Sequence, residues 1–168
     1  FLINQYDIIL IGNPRDLVTS KSKTTMGAGK KATLLGFPDY GSGTVIVQLP
    51  GTKVEVDNIN KLLKTSGFQV AELTQREATE TNLKSARKAS ILHIATHGYF
   101  LKDVEKASWP IGVHADYAKD NVLLRSGLML TGAGEANSAA QTLDSSNNGI
   151  MTSYEAMNLD LKGTDLVV

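Results

Sequence analysis

The chain contains no cysteine among its 168 residues. This absence excludes disulfides, thiolate metal sites and, within the residues shown, a cysteine nucleophile. The chain also has no excess of charge of either sign, because 17 Lys and Arg residues balance 17 Asp and Glu residues. Nothing in the charge totals therefore suggests direct binding to nucleic acid or to an anionic membrane.

Long apolar runs are absent as well. No stretch approaches the roughly 20 residues that span a bilayer, and Phe1-Leu2-Ile3 lacks the basic start of a signal peptide. We therefore expect a soluble, cytoplasmic protein. Hydrophobic residues make up 42% of the sequence, which is enough for a substantial core, so we expect one domain over residues 1–168.

The order of apolar segments predicts an α/β fold. Five segments are predicted as strands: Ile8–Ile11, Thr33–Phe37, Phe68–Leu73, Ser90–Ala95 and Asp165–Val168. Three are predicted as helices: Thr52–Ser66, Thr79–Lys88 and Thr152–Met157. Alternating strands and helices build a parallel-rich sheet flanked by helices on both faces. The sequence does not decide between a strand and an ordered connection for Thr44–Leu49, or between a strand and a hairpin for Leu123–Leu130.

Several local signals support these helices. Val56, Ile59, Leu62 and Leu63 are predicted to share the apolar face of the first helix, which Gly67 ends. Thr79 is a candidate N-cap of the second helix. Thr152 and Glu155 have the spacing of a capping box, in which each side chain satisfies a free N–H at the other's position.

Two glycine motifs invite a cofactor interpretation, and both fail it. A phosphate loop has a glycine five residues before its Gly-Lys pair and Ser or Thr directly after the lysine. Around Gly29-Lys30 these two positions hold Thr24 and Lys31. Gly132-Ala133-Gly134 has Asn137 in place of the third glycine of a dinucleotide fingerprint. No cluster of His, Asp and Glu has metal-ligand spacing. We therefore expect neither a cofactor nor a metal.

The three histidines differ in their surroundings. His93 lies inside a predicted strand and is interpreted as a satisfied interior residue, and His114 as a surface residue. His97 directly follows an apolar strand, at the end where sites assemble in open α/β sheets. The residues leave two readings of His97 open: a turn histidine, or an acid–base group, since imidazole ionises near neutral pH. No G-x-S-x-G elbow supplies a serine nucleophile.

Five stretches of the sequence form an ordered set. They are Leu49-Pro50-Gly51-Thr52 with Glu55, Glu77-Ala78-Thr79-Glu80, Ile91-Leu92-His93-Ile94-Ala95-Thr96-His97-Gly98, Gly149-Ile150-Met151-Thr152, and Leu161-Lys162-Gly163-Thr164 leading into Asp165–Val168. Taken together and in this order, they resemble the CHAT family of bacterial caspase-like peptidases. The resemblance implies a caspase-like cysteine endopeptidase with His97 as general base and the Gly98 N–H in the oxyanion hole. It places the family's nucleophilic cysteine about four residues beyond Val168.

Both ends of the chain read as core strands, so we interpret it as a domain incomplete at its C-terminal side and excerpted from a longer protein. Such a fragment alone would be inactive, because it lacks the nucleophile. The resemblance also implies a protein substrate and control by a sensor region or partner in bacterial defence. Such partners are tetratricopeptide repeats in the same chain or an RNA-guided effector complex. An insertion within Tyr99–Asn148 is expected to shape substrate access or dock a regulator.

Two other interpretations remain open. One is a catalytically inactive CHAT-like module used for protein interaction, which would carry a residue other than cysteine at the nucleophile position. The other is a flavodoxin-like or Rossmann-like ligand-binding domain, which neither glycine motif supports.

Overall fold

The structure is a computed structural model that describes residues 29–42, 44–101, 121–135 and 147–168. The predicted strand Ile8–Ile11 and the surface position expected for His114 lie outside these residues. In chain order the elements are β1 (Lys31–Pro38), α1 (Pro50–Thr65), β2 (Gln69–Gln75), α2 (Glu80–Lys84), β3 (Ile91–Ala95), β4 (Gly98–Phe100), β5 (Ser126–Met129), β6 (Ile150–Thr152), α3 (Ser153–Ala156) and β7 (Leu166–Val167).

Among the described residues, the main sheet has four parallel strands in the order β2-β1-β3-β7. Its central strand β1 carries the run Ala32–Leu35, in which every residue is buried. A continuous apolar run is typical of a parallel strand covered on both faces. The predicted α/β class with a parallel-rich sheet is therefore confirmed.

Helices cover the two faces of this sheet. Gly36 faces α1, because a Cβ built on Gly36 would lie 2.7 Å from the Val56 side chain. Successive strand residues point to opposite faces, so Leu35 points away from α1. Leu35 belongs to a buried cluster with Leu83 of α2 and with Leu92, Leu130 and Met151. The helices α1 and α2 therefore lie on opposite faces, as predicted.

The first helix shows where the periodicity prediction holds and where it is wrong. Val56 is buried, and Ile59 and Leu63 are partly buried, but Leu62 is 66% exposed. The side of α1 that meets the sheet also includes Asn60, whose amide donates to Glu72 of β2. Polar contacts with β2 thus turn the helix so that Leu62, about 100° around from Leu63, faces solvent.

The helix ends agree with the local signals. Gly67 has φ of +81°, and the N–H of Phe68 donates to the Leu63 carbonyl at 2.9 Å, which is the Schellman arrangement. The hydroxyl of Thr79 accepts from the Asn82 N–H at 3.2 Å and caps α2. However, α2 ends at Lys84, earlier than the predicted Lys88, because the chain turns through Ser85 and reaches a positive φ of 63° at Lys88.

A second sheet is antiparallel and, within the part of the chain that the structure describes, has three strands in the order β4-β5-β6. A second buried cluster, formed by Tyr40, Met129, Ala133 and Ile150, lies against it. The open prediction for Leu123–Leu130 resolves as a 3-10 turn, Val122–Leu124, followed by β5. Within the described part of the chain, no helix combines the length and the hydropathy needed to cross a membrane.

Candidate active site

His97 lies at the junction between the two sheets. The strand β3 of the main sheet ends at Ala95, and β4 of the second sheet begins at Gly98. His97 therefore follows the carboxyl end of a parallel strand, where ligands and reacting groups collect in open α/β sheets. The side chain of His97 is partly exposed, so it is accessible to a bound molecule.

The main chain of Val47 holds the imidazole. The Nε2 atom of His97 lies 2.7 Å from the carbonyl oxygen of Val47. A carbonyl oxygen only accepts hydrogen bonds, so Nε2 carries the hydrogen. The neutral ring then keeps its lone pair on Nδ1, which is the atom able to accept a proton. Val47 belongs to Thr44–Leu49, which is an ordered connection rather than a strand.

Tyr40 supports His97 from the protein interior. Tyr40 is fully buried, and its ring centroid lies 5.6 Å from that of His97 with the two planes tilted by 43°. The Tyr40 hydroxyl lies 2.9 Å from Oγ1 of Thr96, which itself donates to the Met129 carbonyl. Because Thr96 has only one hydroxyl hydrogen, Tyr40 is the donor in the pair. The neighbours of His97 are thereby tied to both sheets.

The backbone N–H of Gly98 points away from the neighbouring strand. The Met129 N–H donates to the His97 carbonyl at 2.8 Å, and the Leu101 N–H donates to the Arg125 carbonyl at 2.7 Å. Alternate residues of an antiparallel strand bond to the same neighbour, so the Gly98 N–H points away from β5. Among the described strands β4 is at the edge of its sheet. The Gly98 N–H is therefore directed outward, beside His97.

Glycine is not required at position 98 by packing. A Cβ added there would meet only the Gly127 carbonyl oxygen, at an ordinary 3.6 Å. The lack of a side chain instead leaves the outward N–H unshielded.

The end of β7 lies at the same edge of the main sheet. β7 pairs with β3 in parallel, with Leu92 opposite Val167. The Ile94 N–H donates to the Val168 carbonyl at 2.8 Å, which places Val168 beside the carboxyl half of β3. The two strands therefore run side by side toward the edge that carries His97.

The structure keeps His93 apart from this site. His93 pairs with Leu34 in the sheet and faces α1, where its Nε2 lies 3.3 Å from Oε1 of Glu55. Only 6% of His93 is exposed, so its predicted interior position is confirmed. The expected hydrogen bond is not: Nε2 has no hydrogen-bond partner among the described residues, because the contact with Glu55 is near but poorly aligned.

Tyr99, two residues after His97, does not supply an ionised group. Burial, with the charge of Glu155 adding to it, raises the pKa of Tyr99 to about 12. Tyr99 thus stays neutral at physiological pH.

No group of three or more His, Asp or Glu side chains within residues 29–42, 44–101, 121–135 and 147–168 is placed to hold a metal ion. The strand β1 begins directly after Gly29-Lys30, so no helix follows that glycine motif.

Sequence reasoning missed two parts of the site. Tyr40 lies in a polar turn without periodicity, and only its aromatic character in that setting could have marked it. Val47 acts through its carbonyl group, which every residue has, so no sequence signal identifies it.

One comparison with known proteins gives a match. The family model described as CHAT domain matches residues 1–168, the whole chain. No curated protein and no solved structure shows significant similarity to the chain.

Proposed function

This chain belongs to the CHAT domain family, which is related to the caspase-like peptidases, and on that premise we propose that its parent protein is a cysteine endopeptidase. His97 acts as general base, the Gly98 N–H contributes to the oxyanion hole, and the nucleophile is a cysteine beyond Val168. The observation that carries the proposal is that His97 stands after β3 with a hydrogen-bonded Nε2, beside the parallel strand β7.

The register between β3 and β7 supports a nucleophile at that place. Val167 lies opposite Leu92, so in a continued parallel register the fourth residue beyond Val168 would be level with His97. A thiol there would come within reach of the imidazole.

The chemistry follows from the orientation of the ring. Nδ1 of His97 accepts the thiol proton, and the thiolate attacks the carbonyl carbon of a peptide bond. The resulting oxyanion accepts a hydrogen bond from the Gly98 N–H. The imidazolium, stabilised by the Val47 carbonyl at Nε2, then protonates the leaving amine. Water hydrolyses the thioester with the same histidine as base, and the free thiol is restored.

Regulation and location belong to the same proposal. Family membership supports an activity held off until a sensor region or partner acts, with tetratricopeptide repeats in the same chain or an RNA-guided effector complex as partners in bacterial defence. The proposal places this activity in the cytoplasm. A segment ordered by a partner is a common way to switch such a site.

Replacing His97 by alanine in the full-length protein tests the mechanism. We expect protein cleavage to fall by about 10²- to 10⁴-fold, which is the usual contribution of a general acid–base group. The melting temperature should change little, because His97 is partly exposed. Cleavage is measured on a peptide library by mass spectrometry.

Lys61→Ala, at an exposed position of α1, is the control and should cleave normally. Retained cleavage in the His97 variant would remove His97 from the catalytic role. If the wild-type protein, assayed with its activating effector complex present, neither cleaves peptides nor reacts with a thiol-directed peptide electrophile, the inactive interaction module is the correct interpretation.

A further inference from the structure

The segment Thr44–Leu49 exposes two apolar side chains in an alternating pattern. Val45 is 81% exposed and Val47 is 73% exposed, whereas Ile46 between them packs against the cluster that contains Tyr40 and Ile150. Ile46 thus fixes this segment to the protein, and the two valines on either side of it face outward. Large aliphatic side chains exposed together at one place are characteristic of a contact surface.

This apolar surface is continuous with the candidate active site. The carbonyl of Val47 is the group that binds Nε2 of His97. The main chain of Val47 therefore lies directly beside the imidazole. An extended peptide advances about 3.3 Å per residue, so a substrate residue that touches Val47 would lie within about two positions of the scissile bond.

The chemistry of the segment limits what it can recognise. Residues Thr44–Leu49 carry no charged side chain, so they offer no partner to a charged substrate residue. Burying a charge against unpaired aliphatic groups is costly, whereas burying an aliphatic side chain there is favourable.

We propose that Val45 and Val47 form a subsite that selects an aliphatic residue close to the cleavage point of an extended peptide substrate. This inference rests on the proposed peptidase function and adds the substrate class to it. Because specificity comes from the Val47 side chain and the support of His97 from the Val47 carbonyl, side-chain substitution changes substrate binding without removing the hydrogen bond to Nε2.

The test uses the full-length protein and a pair of peptides that differ only near the cut, one with leucine and one with glutamate. Val47→Lys should raise the KM for the leucine peptide by about 10-fold or more, because a missing methylene contact in an apolar pocket already changes binding by about that factor. The same variant should lower the KM for the glutamate peptide. Any fall in kcat for the leucine peptide should be smaller than the rise in KM. Val47→Thr, with a similar shape, should show a smaller rise in KM.

Leu62→Lys is the matched control, because Leu62 is an equally exposed aliphatic residue, 66% exposed on α1. The subsite is overturned if this control changes KM as much as Val47→Lys does, or if kcat falls while KM is constant. It is also overturned if Val47→Lys lowers the melting temperature well beyond the control, which would show that the valines are covered within the protein. A wild-type protein that cleaves no peptide even with its activating partner present would refute the peptidase function itself. Normal cleavage by the wild type, with the same KM values in the Val47 variants, would refute only the subsite.

Discussion

At the scale of single residues, the sequence identifies the proposed catalytic group better than the groups around it. His97 is a candidate because it follows an apolar strand, and in the structure it lies after β3 with Nε2 against the Val47 carbonyl. Its supports could not be predicted, since Val47 contributes a carbonyl and Tyr40 comes into contact with it only through tertiary packing. For His93, the alternation of side chains along its strand predicts that the residue is buried. It does not predict that Glu55 lies beside the ring.

The support from Tyr40 leads to a prediction about stability. Tyr40→Phe removes the hydrogen bond to Thr96 but keeps the buried ring, and Thr96 still donates to the Met129 carbonyl. We expect the free energy of unfolding to fall by about 1 kcal/mol, the net contribution of a typical hydrogen bond. Urea denaturation followed by circular dichroism measures it.

The control for this change is Tyr154→Phe, because Tyr154 is 50% exposed. It should change the free energy of unfolding by less than about 0.5 kcal/mol. An equal effect in both variants would show that the Tyr40 hydroxyl makes no specific contribution.

At the scale of elements, signals between near neighbours in sequence are the most informative. The capping box predicted for Thr152 and Glu155 is present, as is the helix end at Gly67. The interactions that carry these signals span only a few residues, so the sequence alone contains them. By contrast, the exposure of Leu62 depends on how α1 meets β2, which local periodicity cannot report.

The junction between β6 and α3 provides the second stability prediction. The Thr152 hydroxyl accepts from the Glu155 N–H at 3.2 Å and donates to Oε2 of Glu155 at 3.0 Å. Thr152→Val keeps the shape but removes both bonds and leaves the Glu155 N–H without its cap. We expect a loss of about 1–2 kcal/mol in the free energy of unfolding, the usual cost of losing an N-cap.

Thr152→Ser is the matched variant, because it keeps the hydroxyl and loses only a methyl group. It should be more stable than Thr152→Val in the same urea experiment. The reverse order would mean that packing of the methyl group, rather than the cap, dominates at this position.

At the scale of the whole molecule, alternation of strands and helices was sufficient to predict the main parallel sheet, whereas the second sheet was not predicted as a unit. Its strands have three or four residues each, too few to show a period of two. Their pairing also joins residues far apart in sequence, such as Gly98 with Leu128. His97 lies between the two sheets, so the surroundings of the site depend on the part of the fold that periodicity describes least well.

A partly buried ionic network joins α2 to α3 and to the start of β6. The Lys84 ammonium lies 3.0 Å from the Glu80 carboxylate and 2.9 Å from that of Glu155, and Glu80 also accepts from the Gly149 N–H at 2.8 Å. Burial opposes ionisation of Lys84, but its hydrogen bonds to the two carboxylates outweigh this and raise its pKa. For Glu155, burial is likewise outweighed by Lys84 and Thr152, which lower its pKa.

These shifts define a pH window for stability. The raised pKa of Lys84 contributes stability that is present below 10.5 and is lost as pH rises through the folded-state value. The lowered pKa of Glu155 contributes stability that is present above 4.5 and is lost as pH falls through its folded-state value. The contributions of Lys84 and Glu155 are therefore both present between these two ordinary values, whereas burial raises the pKa of Glu80, which opposes them as pH rises through its folded-state value.

Lys84→Met tests the network across this window. Hydrogen bonds to charged groups contribute roughly 1.5–3 kcal/mol each, and solvent screens a partly exposed group. Because Lys84 is 32% exposed, we expect a loss of about 2 kcal/mol at pH 7, measured by urea denaturation. The loss should shrink below pH 4.5, because Glu80, whose pKa burial already raises, becomes neutral in the variant and no longer needs a cation. The control is Lys61→Met at an exposed position of α1, which should lower the free energy of unfolding very little at any pH. If the loss of stability in Lys84→Met does not vary with pH, the aliphatic stem of Lys84 stabilises the fold, and its charge does not.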